Sequence, residues 1–287
     1  MDAQPDGFVD AVFSGEIPLG HQSDENRSGY IERIVRGGFP ESVARAGRRR
    51  AAFLDNYLSD LVNRDIIQLS EIQRGREMRS LIRLVAARSG QLLVPGSLAG
   101  LLGIPQSTVG RYLALLEEVF LIKRIPAWSR SLSSRAVSTA KVALVDSAIA
   151  ANVLDQDSRT LARASGALGG LLEGFVAMEI ARQLSWSLTR AEMSHYRTKD
   201  GIEVDIILEN RRGQVVAIDV KASATVRRSD FRGIDHLASR LGDDLRVGIV
   251  LYTGGQHLSF GPKRRVMPIA SLWETAPPQS SAAVGER

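Results

Sequence analysis

The 287-residue chain contains no cysteine, which excludes a disulfide framework, a thiolate zinc site and a cysteine nucleophile. Aromatic residues are scarce, at 6%. His195, His236 and His257 have no metal-ligand spacing. The longest mostly apolar stretch, Leu92 to Pro105, has the length of a core helix rather than of a membrane span, so no membrane partner is expected. The acidic start, Met1-Asp2-Ala3-Gln4-Pro5-Asp6, lacks the apolar segment of a secretory signal, which points to a cytoplasmic protein. No G-x-x-x-x-G-K-[ST] occurs, so nothing in the chain promises a phosphate-cradling loop for ATP.

What is present is an ordinary globular composition, 44% hydrophobic and 24% charged, in a length that suits one large or two small domains. The net charge of +5 is unevenly laid out. Residues 1–26 hold six acids and no Lys or Arg, residues 27–146 carry +9, and residues 147–287 carry +2. A basic middle segment is the electrostatic footprint of a nucleic-acid partner, DNA here. A solvated basic face with no partner fits the same arithmetic, since 32 of the 37 basic residues are Arg and genomic base composition can produce that skew.

Residues 1–28 are acidic and weakly periodic, and read as a poorly ordered tail. Residues 29–78 turn helical, broken by Gly37-Gly38-Phe39-Pro40-Glu41. Phe53, Tyr57, Leu58, Leu61 and Val62 then form one apolar helix stripe, after which Arg64-Asp65 reads as an ion pair. Residues 79–150 read as a winged helix. Leu81, Ile82, Leu84 and Val85 give its first helix face, and Leu98, Leu101 and Leu102 a short second helix with Pro95-Gly96-Ser97 offering the cap. Gly103-Ile104-Pro105 makes the turn, and Ser107 can cap a third helix carrying Val109, Tyr112, Leu113, Leu116 and Val119. Strands follow at Phe120–Trp128 and Lys141–Val145, with a wing between them at Arg130–Ala140. The exposed face of the third helix includes Gln106, Thr108, Arg111 and Ala114. Thr108 and Arg111 are the candidate DNA contacts, although the module equally suits packing against a neighbouring domain.

Residues 160–275 read as a mixed α/β domain: a core helix through Leu168–Ile180, three strands, a polar helix over Ser229–Leu241, and a buried strand at Val247–Tyr252. The Pro- and Ser-containing segment 276–287 reads as a disordered tail. Within the α/β block, charges interrupt apolar runs: Glu173 on the core helix, Asp205 beside Ile206-Ile207-Leu208, and Asp219 and Lys221 at the end of a strand. Embedded charges need partners or a metal. Asp219 and Lys221 share a strand face, and a hairpin brings Asp205 beside them. Three carboxylates near one lysine suit phosphodiester hydrolysis, because hard oxygen ligands hold Mg²⁺ or Mn²⁺ and the lysine can place a water or steady an anionic transition state. Glu173, Asp205 and Asp219 are the candidate metal ligands, and together with Lys221 the candidate catalytic set. A buried ion-pair cluster is the alternative. Arg227 and Arg228, just beyond the Lys221 strand, are candidate phosphate contacts or solvated surface.

These residues resemble the PD-(D/E)XK nuclease superfamily: Glu173, then Glu203-Val204-Asp205, then Asp219-Val220-Lys221. More specifically, the chain is similar to a prokaryotic domain of unknown function that follows an AAA-family ATPase module. The resemblance extends over Gly37-Gly38-Phe39-Pro40-Glu41, Tyr57…Arg64-Asp65-Ile66, Leu172-Glu173-Gly174-Phe175-Val176 and Tyr196-Arg197…Asp205, and so covers about residues 29 to 275. It implies a winged helix followed by a restriction-endonuclease-like fold. Asp219 stands where Glu is common, a chemically neutral change. The 28 residues ahead of the resemblance cannot hold an ATPase module, so no ATP is expected and any ATPase would be a separate chain. Three expectations result: a Mg²⁺-dependent nuclease-like protein acting on DNA, a non-catalytic DNA-binding or adaptor module, or an inactive remnant.

Overall fold

In a computed structural model that describes residues 6–15, 17, 20–66, 75–130, 139–163 and 165–276, the mixed α/β class is what is observed. Within the expected tail, the described residues begin on a packed helix. Helix α1, Phe8–Ser14, buries Phe8, Val9, Val12 and Phe13 and stops at Gly15, whose φ of +85° continues no helix. Gly7 N donates to the Thr275 carbonyl at 3.0 Å, which fastens the first described helix to the last described residues. Asp10, one of the acids that make residues 1–28 look solvated, lies in this helix, whose apolar residues recur at helical spacing and are buried.

Helix α2, Arg27–Arg36, starts at Asn26, whose side chain accepts from Ser28 N and Gly29 N. Short α3, Pro40–Val43, and α4, Gly47–Asp60, follow, the latter running into a π-helical segment at Leu61–Ile66. The Asp65 side chain of the expected Arg64-Asp65 pair lies outside the described residues.

The expected helix-turn-helix is present as α5, Gly75–Ala86, α6, Pro95–Leu102, and α7, Gln106–Glu118. Gly103, at φ +65°, turns the chain between α6 and α7. Met78, Leu81, Ile82, Val85, Leu98, Val109, Tyr112, Leu113 and Leu116 close its core. Two caps differ from expectation: Val94 and Pro105, not serines, occupy the N-cap positions, and neither helix has a side-chain cap bond. Strands β1, Ile122–Ile125, and β2, Lys141–Leu144, pair antiparallel with Ile125 opposite Lys141. Most of the expected wing, 131–138, lies outside the described residues, as does the tail from 277.

After α8, Ser147–Val153, and α9, Ser158–Arg163, comes the long helix α10, Ser165–Gln183. Six strands follow: β3, Ala191–Arg197; β4, Glu203–Asn210; β5, Val215–Lys221; β6, Leu245–Tyr252; β7, Leu258–Ser259; and β8, Arg264–Pro268. Their order in the sheet is β3-β4-β5-β6-β8-β7. The pairs β3–β4 and β4–β5 are antiparallel hairpins, whereas β5–β6 is parallel and needs a crossover, supplied by α11, Arg232–Leu241. Alternation along β5 divides the core. Val216 and Ile218 pack in the cluster that includes Leu172, Val176 and Ile180 of α10, while Val215 and Ala217 join Ile234 and Leu237 of α11. Helix α12, Ser271–Glu274, ends the described chain.

The two halves are stitched together. Ala127 bridges His195 of β3, and Trp128 N donates to the His195 carbonyl at 2.6 Å. This brings the β1–β2 pair to the sheet that carries the candidate site.

Candidate functional site

A long core helix and two adjacent strands supply the acidic side chains. Glu173 projects from α10, Glu203 and Asp205 from the start of β4, and Asp219 from the end of β5. Three of the four meet at a residue that sequence reasoning did not single out. Lys141 of β2, only 1% exposed, places Nζ 2.5 Å from Glu173 Oε1, 2.7 Å from Glu203 Oε1 and 3.0 Å from Asp205 Oδ1. The remaining acceptors are also engaged. Glu203 Oε2 pairs with the Arg197 guanidinium, and Asp205 Oδ2 accepts from Val220 N at 3.0 Å.

Asp219 is 5% exposed and neighbours Asp205. Burial, reinforced by the neighbouring Asp205 charge, pushes its carboxyl up to about 8 against the opposing pull of Lys221. Burial and Asp205 likewise push Glu173 up to about 8, with Lys141 working the other way. Burial alone would lower Lys141, but the charges of Asp205 and Glu173 outweigh it and hold the ammonium above its ordinary range. The cluster holds more carboxylates than buried cations, and burial with mutual repulsion favours the protonated forms of Glu173 and Asp219 while the carboxylates favour the charged form of Lys141.

The cluster opens onto a cleft of about 290 Å³, lined by Glu203, Asp205, Asp219, Lys221, Ser229, Asp230 and Arg232 among others. Asp205, Asp219 and Lys221 therefore do come together. Glu173 joins them through Lys141 and lies outside the cleft lining. Arg227 and Arg228 are exposed beside the 3₁₀ turn Arg228–Phe231 but do not line the cleft; Arg232, four residues on from Arg228, does. On α7, Gln106, Ser107, Arg111 and Ala114 are exposed and Thr108 is half-buried.

Mg²⁺ or Mn²⁺ fits the donor chemistry of this site but not its arrangement. The point shared by Glu173, Glu203 and Asp205 is filled by the Lys141 ammonium. Among the described residues no group of three or more His, Asp or Glu side chains is disposed to hold a metal ion. Of the expected triad, Glu173 and Asp205 thus belong with Glu203 to a lysine-centred ion cluster, and Asp219 is a buried neighbour of Asp205. The histidines have other roles: the His195 ring meets the Thr139 carbonyl at 3.0 Å, and the His236 ring meets the Tyr196 hydroxyl at 3.1 Å.

Comparison with known proteins divides the chain at the junction of α9 and α10. Residues 27–160 match the model of a domain of unknown function (DUF8612), and residues 168–272 match that of another (DUF4143). The chain is similar to an uncharacterized protein of Mycobacterium bovis and to one of Mycobacterium tuberculosis. Each is 28% identical over 231 residues, 78% of this chain and 51% of the relative. The chain therefore spans about half the length of the curated relatives it matches. No solved structure matches.

Proposed function

We propose that the chain is a cytoplasmic, DNA-associated protein in which the winged helix holds the duplex beside a PD-(D/E)XK nuclease-like α/β domain that does not hydrolyse it as arranged. The observation that carries this reading is the division of α7. Val109, Tyr112, Leu113 and Leu116 are buried, while Gln106, Ser107, Arg111 and Ala114 face outward on the stretch that holds the basic excess. A helix presented in this way suits a major groove, with Arg111 and Thr108 as base-edge or phosphate contacts. The partner this module would serve, beyond DNA, is an ATPase on a separate chain. Binding to a short duplex should weaken as salt rises, with a negative log-log slope. Affinity unchanged between low and high salt sinks the reading.

A second reading, phosphodiester hydrolysis, is favoured by the convergence of Asp205, Asp219 and Lys221 on one open cleft. In it, Lys221 steadies the phosphate and Asp219, its buried carboxyl pushed up to about 8, exchanges a proton near neutral pH. Nicking of supercoiled DNA that disappears in Lys221→Ala would favour hydrolysis. Equal and negligible nicking by both proteins favours the binding module.

A further inference from the structure

The most unusual group in the molecule is Lys141, a lysine buried to 1% exposure that reaches out of one domain into the acidic cluster of the other. We propose that Lys141 is the resident cation of this centre, a built-in ammonium that takes the place a divalent metal would occupy and keeps the wild-type cluster metal-free.

An ammonium has three N–H donors, and here each finds a carboxylate oxygen, on Glu173, Glu203 and Asp205. The contacts of 2.5–3.0 Å are hydrogen-bond lengths that converge on a single point. A metal ion at that point would need shorter oxygen contacts and would sit against a like charge. Lys141 cannot easily yield, because its backbone is held from both sides. It pairs with Ile125 of β1 and bridges Leu92, while Leu93 N donates to the Ala140 carbonyl at 2.8 Å and Val142 N to the Gln91 carbonyl at 3.1 Å. A displaced ammonium would therefore remain in the core with no carboxylate to compensate it, which opposes exchange for a metal. The lysine comes from β2 of the winged helix, so one ion cluster also ties the two domains together.

The test compares full-length wild type with Lys141→Gln and Lys141→Met, using Mn²⁺ as the probe. Mn²⁺ binding is followed by electron paramagnetic resonance, and melting temperature is measured with and without millimolar Mn²⁺. Wild type is expected to show no saturable Mn²⁺ signal and no shift in melting temperature. The variants should gain saturable binding and a Mn²⁺-dependent rise, and Asp205→Asn added to either should abolish both. A variant that folds only when Mn²⁺ is present also supports the proposal. Saturable Mn²⁺ binding by wild type that Asp205→Asn removes would overturn it, as would well-folded variants that bind no more Mn²⁺ than wild type. Should both variants fail to fold with or without metal, the wild-type measurement decides by itself.

Discussion

Lys141 Nζ lies 3.0 Å from Asp205 Oδ1, across 64 residues of chain and a domain boundary, with both side chains largely out of water. Burying either charge alone is costly, and together they are tolerable because each satisfies the other. Lys141→Ala leaves Glu173, Glu203 and Asp205 facing one another without their common cation. A loss of about 3–5 kcal/mol of stability is expected, the range for breaking a buried pair. Asp205→Asn should cost less when added to Lys141→Ala than when made alone, since contacting residues are not additive. Urea unfolding of the four proteins measures this coupling, and additive costs would show that the contact carries no energy.

Gly233 governs how closely α11 approaches the same cluster. A Cβ at this position would lie 1.9 Å from the Glu203 carbonyl oxygen, a backbone atom that cannot swing aside. Gly233→Ala must therefore push α11 off β4 at the residue that holds Lys141. A loss of about 1–3 kcal/mol is expected from overpacking, with faster amide exchange in β4 as the local signature. An unshifted melting temperature would mean that α11 relaxes freely there.

Asp146 is a second long-range clasp. Its Oδ1 accepts from Ala148 N at 2.8 Å as the N-cap of α8, and its Oδ2 accepts from Gly38 N at 2.7 Å, across 108 residues. Gly37, at φ +70°, turns the chain there, and a Cβ on it would meet the same carboxylate at 2.3 Å. The Gly37-Gly38 pair, which reads in sequence only as a helix breaker, is also the donor side of this clasp. Asp146→Ala loses the cap and strands the Gly38 amide, for an expected cost of about 2–3 kcal/mol. Asp146→Asn, which keeps one acceptor, should cost clearly less, and thermal melts that rank the two equally would refute the clasp.

The legible parts of this molecule are those written in local periodicity. The α5–α7 stripe is one, the core helix through Leu168–Ile180 another, and the spacing that sets Asp205 beside Asp219 and Lys221 a third. Lys141 was not legible because its partners lie 32, 62 and 64 residues away on other elements, while its own neighbourhood, Lys141-Val142-Ala143-Leu144, says only that a strand begins. Glu203 was visible within its motif, but nothing local told that it faces a buried ammonium rather than solvent. Helix α1 was hidden for a related reason. Asp10, which looks like a solvated acid, is met by the segment 187–189, almost 180 residues on. The caps of α6 and α7 were misread because serines near a helix start are reliable signals only when the backbone enters where they stand.

Asp10 also sets an acid limit to the docking of α1. Burial works to raise its carboxyl, but hydrogen bonds from the Ser187 hydroxyl at 2.7 Å and from the Thr189 and Leu188 amides at 2.8 and 3.2 Å outweigh burial and hold it below its ordinary 3.8. A carboxyl lowered in the folded state adds stability above its unfolded value, and that stability is lost as pH falls through the folded value. Asp10→Asn should therefore be less stable than wild type at neutral pH by about 1–3 kcal/mol, and the gap should close as pH drops below 3.8. Chemical denaturation at neutral and acid pH checks this. A gap that stays constant would show that Asp10 is not the titrating group.

If α7 is the element that meets DNA, Arg111 is its one exposed cation and its contribution should be specific. Arg111→Ala is expected to weaken duplex binding and to reduce the salt slope by about 1, the signature of one lost phosphate contact. Arg228→Ala, beside the cleft but not lining it, should leave both unchanged. Fluorescence anisotropy at several salt concentrations separates the cases. An unaltered slope in Arg111→Ala with a reduced slope in Arg228→Ala would move the DNA contact from the winged helix to the α/β domain. The outward face of α7 would then be a docking face for protein instead.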